Sequence, residues 1–109
     1  MKMVIAIVQD DDSIDLVDAL TEKKYRVTKL ATTGGFLKSG NTTLLIGVKE
    51  SEVKEVVSII QDTCRKRNEV VASPMPFSGN SEMYMQYPVE VQVGGATVFV
   101  IDVDQFIRI

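Results

Sequence analysis

Apolar residues follow two rhythms along this chain, and the switches between them mark out its elements. Met3–Val8 is a short unbroken apolar run, which predicts a strand buried on both faces. Asp10-Asp11-Asp12-Ser13 follows as a cluster of helix N-cap formers, with Asp12 and Asp15 at capping-box spacing. A helix is expected from about Ser13 to Lys24, with Leu16, Val17 and Leu20 inward. Tyr25–Thr32 and Thr43–Val48 are β-branched and apolar and predict strands. Ser51 is placed to cap a second helix, whose inner stripe is Val53, Val56, Val57, Ile60 and Cys64 and whose end is the basic run Arg65-Lys66-Arg67.

Beyond that point the periodicity breaks. Asn68–Tyr87 is crowded with turn signals, most densely over Ser73–Ser81, and is expected to be an irregular loop. It carries Phe77, Met83, Tyr84, Met85 and Tyr87, and so reads as a functional loop or one folded back on a core or a neighbouring subunit. Val89, Val91 and Val93 alternate with polar residues, Gly94-Gly95 is a hairpin signal, and Ala96–Val103 reads as a second doubly buried strand. The apolar tail Phe106, Ile107 and Ile109 is expected to pack.

With the outer strand of that hairpin as an addition, the order reduces to βαββαβ. This is the ferredoxin-like α+β arrangement, an antiparallel sheet with both helices on one face, in a single domain spanning residues 1–109. The first and last strands are apolar on both sides, so the second sheet face needs a cover. Another subunit is the simplest one, and an oligomer is expected.

Charge and composition narrow the chemistry. The 109 residues carry net charge −3, which argues against a protein whose task is to bind a nucleic-acid polymer, though a small anion responds to local charge. With no histidine and one cysteine, Cys64, the sequence offers neither histidine catalysis nor a cysteine zinc site nor an internal disulfide. Cys64 falls on the helix seam and reads as a core thiol. No catalytic constellation or metal site emerges. The apolar run Val4–Val8 is too short for a signal peptide and no segment reaches membrane-spanning length, so a soluble, cytoplasmic protein is expected.

Between the second and third strands lies Thr33-Gly34-Gly35-Phe36-Leu37-Lys38-Ser39-Gly40-Asn41-Thr42. Its spacing is close to a phosphate-binding P-loop, but Asn41 stands where the lysine belongs and a strand follows instead of a helix. An ATPase is therefore rejected. Glycines, a ring, an amide and the nearby Arg26, Thr28 and Lys29 suit a planar base joined to phosphate. The same stretch also reads as a plain glycine-rich connection.

The chain as a whole resembles the PII-like signalling proteins, and more specifically the cyclic di-AMP receptor proteins of Gram-positive bacteria. The resemblance is carried by Met3–Asp10, by Arg26-Val27-Thr28-Lys29-Leu30-Ala31-Thr32-Thr33-Gly34-Gly35-Phe36-Leu37, by Gly40-Asn41-Thr42-Thr43 and by Gly95-Ala96-Thr97-Val98-Phe99-Val100. Nitrogen-sensing PII proteins have a long first loop bearing a tyrosine and a short later one. Here Gly34–Asn41 is short and lacks tyrosine while Asn68–Tyr87 is long, so ATP and 2-oxoglutarate sensing is not carried over.

The resemblance implies a homotrimer with cyclic di-AMP in each cleft between subunits, no other cofactor, no catalysis, and a downstream protein partner that the sequence does not name. It implies ligand contacts from Arg26, Thr28, Gly35, Phe36, Leu37, Asn41, Gly47 and Phe99. Phe36 would stack on a base. Gly35 and Leu37 would offer backbone groups, and Asn41 would match the mixed donor–acceptor edge of adenine. Arg26 would pair with phosphate and Thr28 add a hydroxyl bond. Gly47 would leave room and Phe99 wall the pocket, although core packing serves equally for Phe99. Two other readings stay open: a small ferredoxin-like enzyme, and a metal-tolerance trimer using Met75, Met83 and Met85 for copper.

Overall fold

The computed structural model describes residues 1–30, 40–77 and 80–109. Six strands and two helices follow in the order β1 (Lys2–Gln9), α1 (Asp10–Glu22), β2 (Val27–Leu30), β3 (Asn41–Val48), α2 (Val53–Cys64), β4 (Arg67–Phe77), β5 (Asn80–Val93) and β6 (Ala96–Asp102). The main sheet has the order β2-β3-β1-β6 with every pair antiparallel. That is the strand order of a ferredoxin-like βαββαβ fold, with β6 as its fourth strand.

Strand alternation decides what the helices cover. Val4, Ala6 and Val8 of β1 and Leu44, Ile46 and Val48 of β3 are buried with Leu16 and Leu20 of α1 and Val56, Ile60 and Cys64 of α2. Fully burying a side chain such as Leu16 or Ile46 is worth roughly 1.5–3 kcal/mol, so this single layer holds the domain together. The opposite face, which the sequence leaves to a second subunit, is open in the single chain. Met3, Ile5 and Ile7 are only half-buried in the single chain, and Phe99 and Ile101 of β6 are 53% and 46% exposed. The tail expected to pack is exposed in the single chain, at Phe106, Ile107 and Ile109.

Helix α1 starts at Asp10, three residues before the expected Ser13. No side chain caps it, and Asp10, Asp11 and Asp12 occupy its first turn, where carboxylates suit the positive end of the helix dipole. Its far end is a Schellman turn. The Tyr25 N–H donates to Leu20 O at 3.0 Å and the Lys24 N–H to Thr21 O at 2.8 Å. Lys24 takes the left-handed position, at φ +69°, where glycine is usual.

Cys64 is buried on the inner stripe of α2, as its position in the sequence predicts. Burial, with the Asp12 carboxylate second, pushes its thiol up to about 11. At neutral pH only roughly one thiol in ten thousand is then ionised. Iodoacetamide should leave Cys64 unmodified in the native protein and label it in denaturant, read by mass spectrometry; native labelling at a free-thiol rate would contradict this. The unfolded thiol ionises near 9.0 and the folded one near 11, so its contribution to stability is intact below about pH 9 and is lost as pH rises through that window.

The segment expected as an irregular loop is a two-stranded ribbon. β4 and β5 pair with each other from Arg67↔Val93 to Pro76↔Tyr84, with an irregularity before Phe77↔Asn80. Val89–Val93, expected beside Ala96–Val103, pairs with β4 instead. Gly94-Gly95 therefore links two sheets and does not turn a hairpin. Both glycines have positive φ, +88° and +96°. The ribbon stretches the molecule to 64 × 28 × 21 Å, with a radius of gyration of 18.5 Å, where a compact chain of this length would have about 13 Å.

The basic run does not close α2. The helix ends at Cys64, and Arg67 opens β4 with its guanidinium forked onto Asp12, 2.7 Å to Oδ1 and 3.4 Å to Oδ2. Asp12 is 4% exposed, so this pair ties the root of the ribbon to the start of α1. The two interactions with Asp12 and Glu69 keep the Arg67 guanidinium protonated beyond its ordinary range, the Asp12 bond first. At the other root the Gly94 N–H donates to Gln9 Oε1 at 2.7 Å.

Candidate functional site

A row of the main sheet runs Thr28–Leu45–Ile5–Phe99 from one edge to the other, and the next contains Gly47–Met3–Ile101. Side chains alternate along a strand, so Thr28, Asn41, Gly47 and Phe99 share one face. It is the face opposite the helices. Four of the residues that the family resemblance singles out therefore lie on the sheet face that the single chain leaves partly open. Gly35, Phe36 and Leu37 lie outside the described residues.

Arg26, Thr28 and Gly47 also line one open cleft of about 1010 Å³. Met1 and Met3 line it too, together with Gln105, Phe106, Ile107 and Arg108 of the tail. A Cβ on Gly47 would touch only the terminal methyl of Met1, at 3.4 Å, so the missing side chain keeps this wall low. Tyr25 stands at the cleft with its hydroxyl donating to Glu55 Oε1 at 2.9 Å. Burial and that carboxylate push the phenol up to about 12.

The cleft is cationic in an acidic protein. Lys24, Arg26 and Arg108 face one carboxylate, Glu52, whereas the chain has net charge −3. Lys24 and Arg108 escape a reading of the sequence. Lys24 looks like the end of a helix, and Arg108 sits in a tail with no periodicity. Only the Schellman turn and the path of the tail bring them beside Arg26.

The structure does not gather every selected residue into this cleft. Asn41 is at the other end of β3, six residues and about 20 Å from Gly47. Phe99 shares the Thr28 row but lies three strand spacings away, about 14 Å. Within one chain the set is spread over a face.

Asn41 sits in a framework that sequence reasoning assigned to helix capping alone. Asp10 Oδ2 accepts from the Gly40 N–H at 3.1 Å and Oδ1 accepts from the Thr42 hydroxyl. The Asp10 N–H donates to Gly40 O at 3.0 Å. The strand that follows, Asn41–Val48, agrees with rejection of a P-loop. Among the described residues no group of carboxylates and cysteine is placed to hold a metal, and no helix is long and apolar enough to cross a membrane.

Fold and cleft together define a small ferredoxin-like α+β protein of the PII-like kind, with an anion-compatible surface at one sheet edge. The chain belongs to the cyclic-di-AMP receptor family, whose pattern it matches over residues 1–109, its whole length. It is also similar to a crystal structure of a functionally unknown protein from Pediococcus pentosaceus. The two are 49% identical over 99% of this chain and 96% of that one, with a TM-score of 0.76.

Proposed function

We propose that this protein is a trimeric receptor that binds cyclic di-AMP in clefts between subunits and reports occupancy to a partner protein without turning the nucleotide over. The observation that carries this reading is the placement of Thr28, Asn41, Gly47 and Phe99 on one weakly covered sheet face, with the cationic cleft at its edge. Residues spread over a face are completed into a pocket when another subunit closes over it. The exposed Phe99, Ile101, Phe106 and Ile107 supply apolar surface for that closure.

Each side chain then has work suited to its chemistry. Arg26, with Lys24 and Arg108 near it, meets the two phosphates. Thr28 adds a hydroxyl bond, and Gly47 admits the ligand close to β3. Gly35, Phe36 and Leu37 hold a base, Asn41 reads an adenine edge, and Phe99 walls the pocket. No cofactor is required. Ligand contact with the Gly34–Asn41 segment shifts the population of ribbon conformations, and the partner reads the ribbon. A shift of that kind requires unequal affinity for the two conformations.

Ligand binding to the native state alone stabilises by about 2.7 kcal/mol at a hundredfold excess over Kd. Thermal melts should rise with cyclic di-AMP and stay unchanged with ATP or copper at equal concentration. Light scattering should return three times the 12.1 kDa chain mass. A response to ATP or copper instead, a monomer at micromolar concentration, or hydrolysed ligand after long incubation would overturn the corresponding part of the reading.

A further inference from the structure

Asn41 is bracketed on both sides by a single residue. Its neighbours Gly40 and Thr42 are held by three hydrogen bonds from Asp10: one to each carboxylate oxygen and one through the backbone N–H. Asp10 is itself fixed. It is the first residue of α1, and the Ser13 hydroxyl donates to its carbonyl at 2.8 Å. Thr42 is 6% exposed and points to the core, which turns Asn41 to the opposite face. Asn41 is also the first residue of β3, paired with Gln9 at the end of the β1 ladder. A strand end frays unless something outside the ladder holds it.

We propose that Asp10 is a positioning residue for ligand binding, acting through Asn41. It need not touch the ligand; it fixes the backbone on both sides of Asn41, so that the amide is presented in one orientation before ligand arrives. Pre-setting a contact residue raises affinity by removing an ordering cost from binding. The inference rests on the binding role given to Asn41 above.

A double-mutant cycle read by calorimetry with cyclic di-AMP tests it. Asp10→Ala should weaken binding roughly tenfold, the scale of a lost hydrogen bond to a charged group. Thr42→Val should weaken it less, and Thr42→Ser should restore it, because serine keeps the hydroxyl. Asp15→Asn removes a charge from the same helix outside the clamp and should leave affinity unchanged. The decisive readout is non-additivity: Asp10→Ala with Asn41→Ala should bind no more weakly than Asn41→Ala alone. A general loss of structure would multiply the two effects. Amide exchange at Gly40 in the ligand-free protein should also quicken in Asp10→Ala and not in Asp15→Asn.

Multiplicative losses, or full affinity in Asp10→Ala while Asn41→Ala is weakened, would overturn the positioning role and leave the binding role of Asn41 intact. Unchanged affinity in Asn41→Ala would remove Asn41 from the site, and the role of Asp10 would fall with it.

Discussion

Arg26→Ala should weaken cyclic di-AMP binding by roughly 10- to 100-fold, the range of a charge-assisted hydrogen bond that loses its cation. The ligand carries two negative charges, and Arg26 lies in the cationic cleft beside Thr28 and Gly47. Its guanidinium is exposed in the single chain, so its charge alone is screened beyond about 8 Å at physiological salt. Most of its effect must therefore come from direct, oriented contact. Arg26→Lys keeps the charge and loses the planar fork, so it should fall between wild type and alanine. Lys23→Ala removes a nearby exposed cation that does not line the cleft and should have little effect. Equal losses from Lys23→Ala and Arg26→Ala would reduce the role of Arg26 to bulk charge and refute oriented contact.

Gly94→Ala should be the most destabilising small substitution at the junction of ribbon and core. A Cβ there would stand 2.2 Å from the Arg65 carbonyl oxygen and 2.8 Å from Arg67 Nη1. The backbone also has φ +88°, which an L side chain adopts at a cost of roughly 1–2 kcal/mol before any clash. The neighbour is backbone at the end of α2, and shifting it disturbs the Arg67–Asp12 pair and the Gly94–Gln9 bond together. A total loss of about 3 kcal/mol, or a midpoint lowered by roughly 10 °C or more, is expected in thermal melts. Gly95→Ala is the internal comparison. Its φ is +96°, but its nearest neighbours are atoms of the flexible Lys66 side chain, at 3.3 Å and beyond. It should cost about 1–2 kcal/mol. Equal losses at the two positions would show that backbone strain alone, and not contact with Arg65, sets the requirement for glycine.

The regular half of this fold was legible because its pattern is local. The stripe Val53, Val56, Val57, Ile60 and Cys64 needs only helical spacing; α2 forms over Val53–Cys64, and all of the stripe but Val57 joins the core. Met3–Val8 and Thr43–Val48 needed only β-branched apolar runs, and β1 and β3 contain them. The ribbon was hidden by its prolines. Pro74 and Pro76 read as turn signals, yet they and Pro88 all fall on one parity of the ladder: Ala72↔Pro88, Pro74↔Gln86 and Pro76↔Tyr84. A two-stranded ribbon has only edges, so proline fits wherever its missing N–H would point outward. That allowance depends on having no third strand, which spacing cannot reveal. Arg67 was misplaced for a similar reason. A basic residue after a helix suits the helix dipole, but its actual partner, Asp12, is 55 residues away. Arg26, Thr28 and Gly47, which line the candidate cleft, are singled out by the sequence and its family resemblance. Lys24 and Arg108 are not, because only tertiary structure brings a helix end and a tail to one cleft.

The ribbon is attached to the body at one end, and mechanics follows from its length. β4 has 11 residues, which at about 3.3 Å per residue is an arm of roughly 36 Å. Its two roots are held by Asp12 and Gln9, on either side of Asp10. A cantilever converts rotation at its fixed end into travel at its free end. Turning the Gln9–Asp12 corner by about 5° carries the tip of such an arm roughly 3 Å, while atoms beside the corner move a few tenths of an ångström. The same leverage runs backwards: a load on the tip delivers its largest torque to the Gln9–Asp12 corner, where Gln9 and Asp10 also hold the start of β3.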